Sequence, residues 1–249
     1  MLVLLPPSET KRVGGRARAL TLDALALPQL APQREAVIDA LVALSADADA
    51  AARVLKLSER QRGDIAANAA LRTAPTMAAV DRYTGVLFDA LDAGSLPAPA
   101  RRWLGSHVLI HSAPFGPVGA LDAIPGYRLA AGTALPGIPS LRSLWADAVT
   151  EAIAEASPPF VLDLRSEAYA ALGPVPPGIP SVYLRVVTRG DGGAVRALNH
   201  FNKHAKGELV RRLAQARPRI RSARGFVAWA AAADFEVAPG APGELDLVV

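Results

Sequence analysis

Four short apolar runs, each cut off by a polar or Pro/Gly segment, constrain this chain more than any other feature. Leu2 to Leu5, His107 to Ser112, Phe160 to Leu164 and Val182 to Thr188 have the length and the aliphatic or β-branched content of buried strands. Helical patterns lie between them. Within 32–71, Val37, Leu41 and Leu44 share one helical face and Ser58-Glu59 opens a further helix, while Tyr83 to Leu91 reads as an amphipathic helix. Ser140 is placed to cap a helix reaching about Ala156, with Leu144, Trp145, Ala148, Val149 and Ile153 on its inner face. A basic helix is expected from Asn199 or Phe201 to Ala216. The pattern predicts an α/β (mixed α+β) fold with a mixed sheet, in a single domain over 1–249 with a helical insert at approximately 32–96.

Turn and strand signals fill in the rest. Pro and Gly dominate from Pro114 to Gly126, which predicts a winding loop to Tyr127-Arg128-Leu129. Gly190-Asp191-Gly192-Gly193 suits a hairpin turn pairing Val182 to Thr188 with Ala194 to Leu198. Gly225 to Trp229 and Glu244 to Val249 read as strands.

Composition excludes several classes of function. Half the residues are apolar and 20% are charged, which is a folded rather than a disordered chain. There is no Cys, so a disulfide framework, a thiolate metal site and a Cys nucleophile are all excluded, and peroxide cannot be met by a thiol. Met1 to Leu5 is stopped by Pro6-Pro7 and has no basic flank or membrane-spanning apolar run, so a cytoplasmic protein without a membrane segment is expected.

Charge is unevenly placed. Between Arg196 and Arg224 there are nine Lys or Arg residues against one acid, Glu208, a footprint suited to a polyanion or to a solvated helix face. The chain holds 23 Arg but four Lys, three of them at Lys11, Lys203 and Lys206. Where coding bias favours Arg, the surviving lysines are candidates for chemistry that needs a compact ammonium, either phosphate contact or a Schiff base.

Known nucleotide and hydrolase signatures are absent: there is no Walker run, no Rossmann glycine triplet and no nucleophile elbow. His200, His204 and Glu208 are spaced by four on a helix, but the adjacent Lys203 and Lys206 repel a cation, and neither a metal nor another cofactor is expected. Ala123 to Ala131 contains a Pro-Gly turn like that of a helix-hairpin-helix, with Tyr127 where a second Gly would stand; a turn into a strand is the plainer reading. Asp163, Glu167 and Glu9 are carboxylates at strand-end loops, suited to acid-base work or to pairing with Arg. Trp103, Trp145 and Trp229 read as packing residues.

Taken in order, the segments resemble the YaaA family over nearly the whole chain. The resemblance rests on Pro6 to Lys11, Tyr83-Thr84-Gly85, the Ser112 to Gly119 loop leading to Pro125-Gly126-Tyr127-Arg128-Leu129, and Leu144-Trp145. It continues through Leu164-Arg165-Ser166-Glu167-Ala168-Tyr169 and His200-Phe201-Asn202-Lys203 with Lys206-Gly207. It implies a single α/β domain with a basic cleft, DNA binding, and a part in limiting oxidative damage by restraining iron. Residue by residue it implies Ser8, Lys11, Tyr83, Arg128, Ser166, Glu167, Tyr169, Lys203 and Lys206 as cleft residues. Pro114-Phe115-Gly116-Pro117 departs from the Leu-Tyr-Gly turn of many relatives.

Two functions remain open on these grounds. One is a stress-associated binder of double-stranded DNA or another polyanion. The other is an enzyme on a small anionic or nucleotide-like substrate, with Lys11, Ser166 and Glu167 as catalytic candidates and Lys203 converging on them. The location of Arg211 to Arg224 relative to the cleft discriminates between them.

Overall fold

The computed structural model describes residues 1–189, 195–196 and 199–249. The apolar amino terminus forms β1 (Leu2–Leu5), and the segment expected as a helical insert comes after it. It holds α1 (Ala31–Leu44), α2 (Ala48–Val54), α3 (Asp64–Ala69), the two-residue β2 (Met77–Ala78), α4 (Ala79–Arg82) and α5 (Val86–Leu91). Ser58 makes a capping box with Gln61, as its sequence suggests, but the helix it opens is a single 3-10 turn, Glu59–Gln61. Next come α6 (Ala98–His107), β3 (Val108–Ser112), β4 (Gly116–Gly119) and β5 (Ala123–Ile124). Then α7 (Leu141–Ala156) leads to β6 (Val161–Asp163), α8 (Glu167–Ala170), β7 (Ser181–Arg189) and β8 (Val195–Arg196). The chain ends with α9 (Asn199–Ala216), α10 (Ala223–Ala232), β9 (Glu236–Pro239) and β10 (Glu244–Val248).

The main sheet has the order β4-β3-β1-β6-β7-β10-β9. β1 is parallel to β3 on one side (Leu4 opposite Leu109) and to β6 on the other (Leu4 opposite Asp163). β7 continues parallel to β6 and to β10, while β4 and β9 close the edges antiparallel. The expected mixed α/β architecture is therefore present. β8 pairs antiparallel with β7, as expected, through Thr188 opposite Arg196; the glycine turn between them lies outside the described residues.

Local differences from the sequence reading have physical causes. Gly225 to Trp229 is not a strand but the middle of α10, because Ser222 accepts a hydrogen bond from Gly225 N at 3.1 Å and the alanines beyond it favour helix. Pro114 to Gly126 is not all loop, since Gly116–Gly119 pairs with β3. Tyr127 to Leu129 is irregular rather than a strand, and Pro125-Gly126 comes directly after a two-residue strand paired with Met77–Ala78, with no helix from 121 to 140. That is not helix-hairpin-helix geometry. The Tyr83 to Leu91 helix starts only at Val86, leaving Tyr83 free to pair elsewhere. Among the described residues, no helix is long and apolar enough to cross a membrane.

Packing fixes where the last long helix lies. α9 runs against α5 and α6 and touches β7, burying Ala205, Leu209, Val210 and Leu213. Trp145 is fully buried under the β3–β4 turn and donates from Nε1 to Ala113 O at 3.1 Å; Trp103 is buried too, and Trp229 packs at the core margin.

Candidate functional site

Strand order alone marks one place on the sheet. The chain leaving β1 crosses to β3, while the chain leaving neighbouring β6 crosses to β7 on the opposite side. The carboxyl ends of β1 and β6 thus diverge and open a crevice, the usual position of ligands in open α/β sheets. The loops at its lips are Pro6 to Lys11 and Leu164 to Tyr169.

The first loop is tied down by backbone. Lys11 bridges Tyr83 antiparallel, with Arg12 N donating to Arg82 O at 2.8 Å and Thr84 N donating to Thr10 O at 3.2 Å. Ser8 Oγ lies 3.3 Å from Thr10 Oγ1, and Thr84 Oγ1 donates to Thr10 Oγ1 at 3.0 Å. Gly85 (φ 95°) sits against this hydroxyl cluster, where a side chain would meet Ser8 Oγ at 3.3 Å. The Pro-Pro-Ser-Glu-Thr-Lys and Tyr-Thr-Gly segments are therefore two halves of one substructure.

Lys11 Nζ donates to Ser8 O at 3.0 Å and to Glu9 O at 3.2 Å, and lies 4.0 Å from the Tyr127 ring centroid and 5.5 Å from that of Tyr83. An ammonium has three N–H groups, and here two carbonyls and an aromatic face occupy them. Lys11 therefore staples its loop more than it reaches outward. Burial, with the nearby Arg128 charge second, lowers its pKa to about 7. Tyr83 and Tyr127 form a floor beneath it, their hydroxyls 2.8 Å apart, and burial raises the pKa of both.

Arg128 is held from two directions. Its guanidinium meets the Glu9 carboxylate at 3.2 Å, and its backbone N and O pair with the buried Asn68 amide at 2.7 and 2.9 Å. Tyr169 stands nearby: burial and then the Glu9 charge raise its pKa, and its ring centroid is 6.0 Å from that of buried His111.

The second lip is built on a buried ion pair. Arg165 donates to both Asp163 oxygens, at 2.9 and 2.7 Å, which fixes the chain as it leaves β6. Lys206, on α9 and 5% exposed, donates to Leu164 O at 3.0 Å; burial lowers its pKa to about 8, offset in part by Asp163. Ser166 is the residue before α8 and Glu167 its first residue, both exposed. Lys203 is exposed on α9, one turn before Lys206. Of the nine residues implied by the resemblance, Ser8 and Lys11 lie in the first loop, Ser166, Glu167 and Tyr169 in the second, Tyr83 beneath Lys11, Arg128 beside Glu9, and Lys203 and Lys206 on α9, which meets the second loop at Leu164. Sequence reasoning missed Asn68, Tyr127 and Thr84 as supports, because nothing in their local patterns shows which distant backbone they hold.

His204 Nε2 and Glu208 Oε1 are 3.4 Å apart and exposed; the His200 side chain lies outside the described residues. Asp163 proves to be an Arg partner, as does Glu9. A recess of about 820 Å³ adjoins the first lip, lined by Tyr83 and Thr84 of that substructure together with Arg12, Arg16, Phe88 and Asp89 among others, and none of the lysines lines it. Two members of the basic run are placed away from the crevice. Arg211 donates to Leu91 O and Asp92 O, both at 2.9 Å, at the end of α5, and Arg221 lies close enough to the Met1 amino group to lower its pKa, second to burial. Met1 precedes β1, so Arg221 belongs to the opposite end of the sheet from Lys11.

The buried amines set a pH dependence. An unfolded lysine stays protonated up to about pH 10.4, whereas Lys11 and Lys206 release their protons near 7 and 8. The unfolded state then binds more protons between about pH 7 and 10, and stability rises with pH across that window. The rise is at most roughly 1.4 kcal/mol per pH unit per lysine. Above 10 it reverses, because unfolded tyrosines ionise while buried Tyr83 and Tyr127 resist. Urea melts from pH 6 to 11 check this: a maximum near pH 10 is expected, flattened in Lys11→Met, and a maximum at or below pH 7 contradicts it.

The whole chain can be set beside known proteins. The family model described as peroxide stress protein YaaA matches residues 1–238. A UPF0246 protein of Corynebacterium efficiens is 46% identical over 233 residues, covering 92% of this chain and 90% of that relative. One from Corynebacterium glutamicum is 41% identical over 241 residues (95% and 94%), and one from Streptomyces coelicolor is 44% identical over 215 residues (86% and 82%).

Proposed function

Because the chain belongs to the peroxide stress protein YaaA family, we propose that it serves the peroxide response by holding a compact anionic, nucleotide-like ligand in the crevice between β1 and β6. The observation that carries this reading is the location of the basic run. A polymer site needs a continuous basic track, but Arg211 is spent on the carbonyls that end α5, and Arg221 sits by the amino terminus. The charge left at the crevice is local: Lys206 with N–H groups to spare, exposed Lys203, and Arg128 held in place by Asn68 and Glu9. Ser166 and Glu167 supply a hydroxyl and a carboxylate beside them. With no Cys in the chain, the protein's part in peroxide stress is not direct thiol chemistry. Limiting iron-dependent damage is the outcome proposed for it, through the action of this ligand site.

Double-stranded DNA is the second reading, favoured by one observation: Arg12, Arg16 and Arg18 are all exposed on the loop beyond Lys11. This is a short basic lip of the kind that neutralises backbone phosphates without reading bases.

Titrating wild type with a mononucleotide panel and with labelled duplex across a salt series separates the two readings. Saturable binding of a nucleotide, lost in Lys203→Ala/Lys206→Ala and weakly salt-dependent, is the expected result. Duplex binding whose log K falls with log salt at a slope of about −0.9 per phosphate contact, lost in Arg12→Ala/Arg16→Ala, with no nucleotide bound, would overturn it.

A further inference from the structure

We propose that Lys206 is an amine nucleophile that forms an imine with a small aldehyde or ketone carrying a carboxylate or phosphate. This deepens the anion-site reading above and rests on it for the charged end of the substrate.

Three side chains on one face of α9 carry the proposal. Among the described residues, Lys206 Nζ makes one hydrogen bond, to Leu164 O at 3.0 Å, and has no carboxylate in contact; the nearby acid Asp163 is already bound to Arg165 through both oxygens. An amine so placed can donate one N–H and keep its lone pair free. Lys11, by contrast, is held in its loop by Ser8 O and Glu9 O with the Tyr127 ring against it. Four residues before Lys206, the side-chain carbonyl oxygen of Asn202 is buried with no hydrogen-bond partner among the described residues. Residues four apart are neighbours on a helix surface, and an orphaned buried acceptor costs about 1–3 kcal/mol, so something that donates is wanted there. Three residues before Lys206, Lys203 presents an exposed ammonium on an adjoining position.

The chemistry fits this set. The neutral amine attacks the carbonyl carbon, the N–C bond forms as the π pair moves to oxygen, and the proton lost by nitrogen goes to that oxygen. The resulting carbinolamine hydroxyl is the donor that Asn202 Oδ1 lacks. A proton taken up from solvent by the hydroxyl lets it leave as water while the nitrogen lone pair closes the C=N bond, and the iminium N–H then returns a proton to solvent. The net change is amine plus carbonyl giving imine plus water. Burial lowers the pKa to about 8, with the Asp163 field opposing it; it thereby leaves a minor but substantial neutral fraction of the amine at physiological pH, and it shelters the product from hydrolysis. Lys203 supplies the countercharge for the substrate's carboxylate or phosphate.

The four lysines make the test self-controlled, because Lys56 and Lys203 are exposed amines in the same molecule. Wild-type protein is incubated with glyoxylate, and separately with propionaldehyde, in the presence of sodium cyanoborohydride, and the reduced adducts are located by peptide mass spectrometry. Lys206 is expected to react at least about tenfold faster than Lys56 at pH 7.5, given its larger neutral fraction, with its rate levelling above about pH 8. Asn202→Ala is expected to slow Lys206 severalfold and leave Lys56 unchanged. Equal labelling of all lysines, or a Lys206 rate indifferent to Asn202→Ala, overturns the proposal. If propionaldehyde labels Lys206 as fast as glyoxylate, the imine stands and the anion reading falls. If phosphate or nucleotides bind saturably while Lys206 stays unlabelled, the imine falls and the anion reading stands.

Discussion

Gly207→Ala is expected to lower stability by roughly 3 kcal/mol, although alanine is the better helix former by about 1 kcal/mol. The reason is the contact between α9 and α5. A Cβ on Gly207 would lie 2.2 Å from Leu87 O and 2.8 Å from the Ala90 Cβ. The first of these is backbone inside a helix and has no rotamer to escape into, so the two helices must move apart. Separation would loosen Leu209 and Val210 in the core and pull Arg211 from the carbonyls of Leu91 and Asp92. It would also move Lys206, one residue away, off Leu164 O. For a chain of this size the melting temperature should fall by about 6–12 °C, and the selective labelling of Lys206 should fall with it. A melting temperature equal to or above wild type would show that the helices do not approach so closely.

Legibility in the sequence depends on which interactions are local. The strands at Leu2, Val108, Val161 and Ser181 were readable because each is a short apolar run bounded by breakers, and the cap at Ser140 because capping is decided within three residues. Gly225 to Trp229 failed because a five-residue apolar run has no period of its own; the choice was made by Ser222 outside it. β4 and β9 were missed because Gly, Pro and Glu do not advertise strands, and only edge pairing with β3 and β10 makes them so. In the candidate site, the scarcity of Lys in an Arg-rich chain pointed to Lys11, Lys203 and Lys206, yet it could not separate the stapled amine from the free one. That distinction depends on Ser8 O, Glu9 O and Tyr127, brought to Lys11 by the pairing with Tyr83. The basic run left its two readings open for the same reason: which face each cation takes is decided by contacts such as those of Arg211 with Leu91 O and Asp92 O, far away in sequence.

The second large effect belongs to Arg165, the charge on which the β6 lip is built. It is fully buried, and besides its two bonds to Asp163 it donates to Gly173 O and to His111 Nδ1, each at 2.9 Å. Because His111 accepts at Nδ1, its proton lies on Nε2; burial and then the Arg165 charge lower its pKa and keep the ring neutral. Arg165→Met removes the guanidinium and leaves the Gly173 carbonyl and His111 Nδ1 without that donor, while the buried Asp163 carboxylate loses its countercharge and keeps the backbone N–H of residue 165, at 3.0 Å from Oδ1. Breaking a buried pair in this way costs about 3–5 kcal/mol, and for a chain of this size the melting temperature should drop by roughly 6–20 °C. Replacing both charges, in Asp163→Leu/Arg165→Met, removes the stranded carboxylate and should recover a measurable part of that loss. Thermal and urea melts of the two variants decide the point, since a double variant no more stable than the single one would mean that the penalty is lost packing rather than a stranded charge. The single variant has a functional consequence even where it folds. Freed of Arg165, the Asp163 carboxylate would hold the Lys206 ammonium more strongly and raise its pKa, so cyanoborohydride trapping at Lys206 should slow at pH 7.5 and recover as the pH is raised. An ion pair that reads as structural is then also what keeps a neighbouring amine available for chemistry.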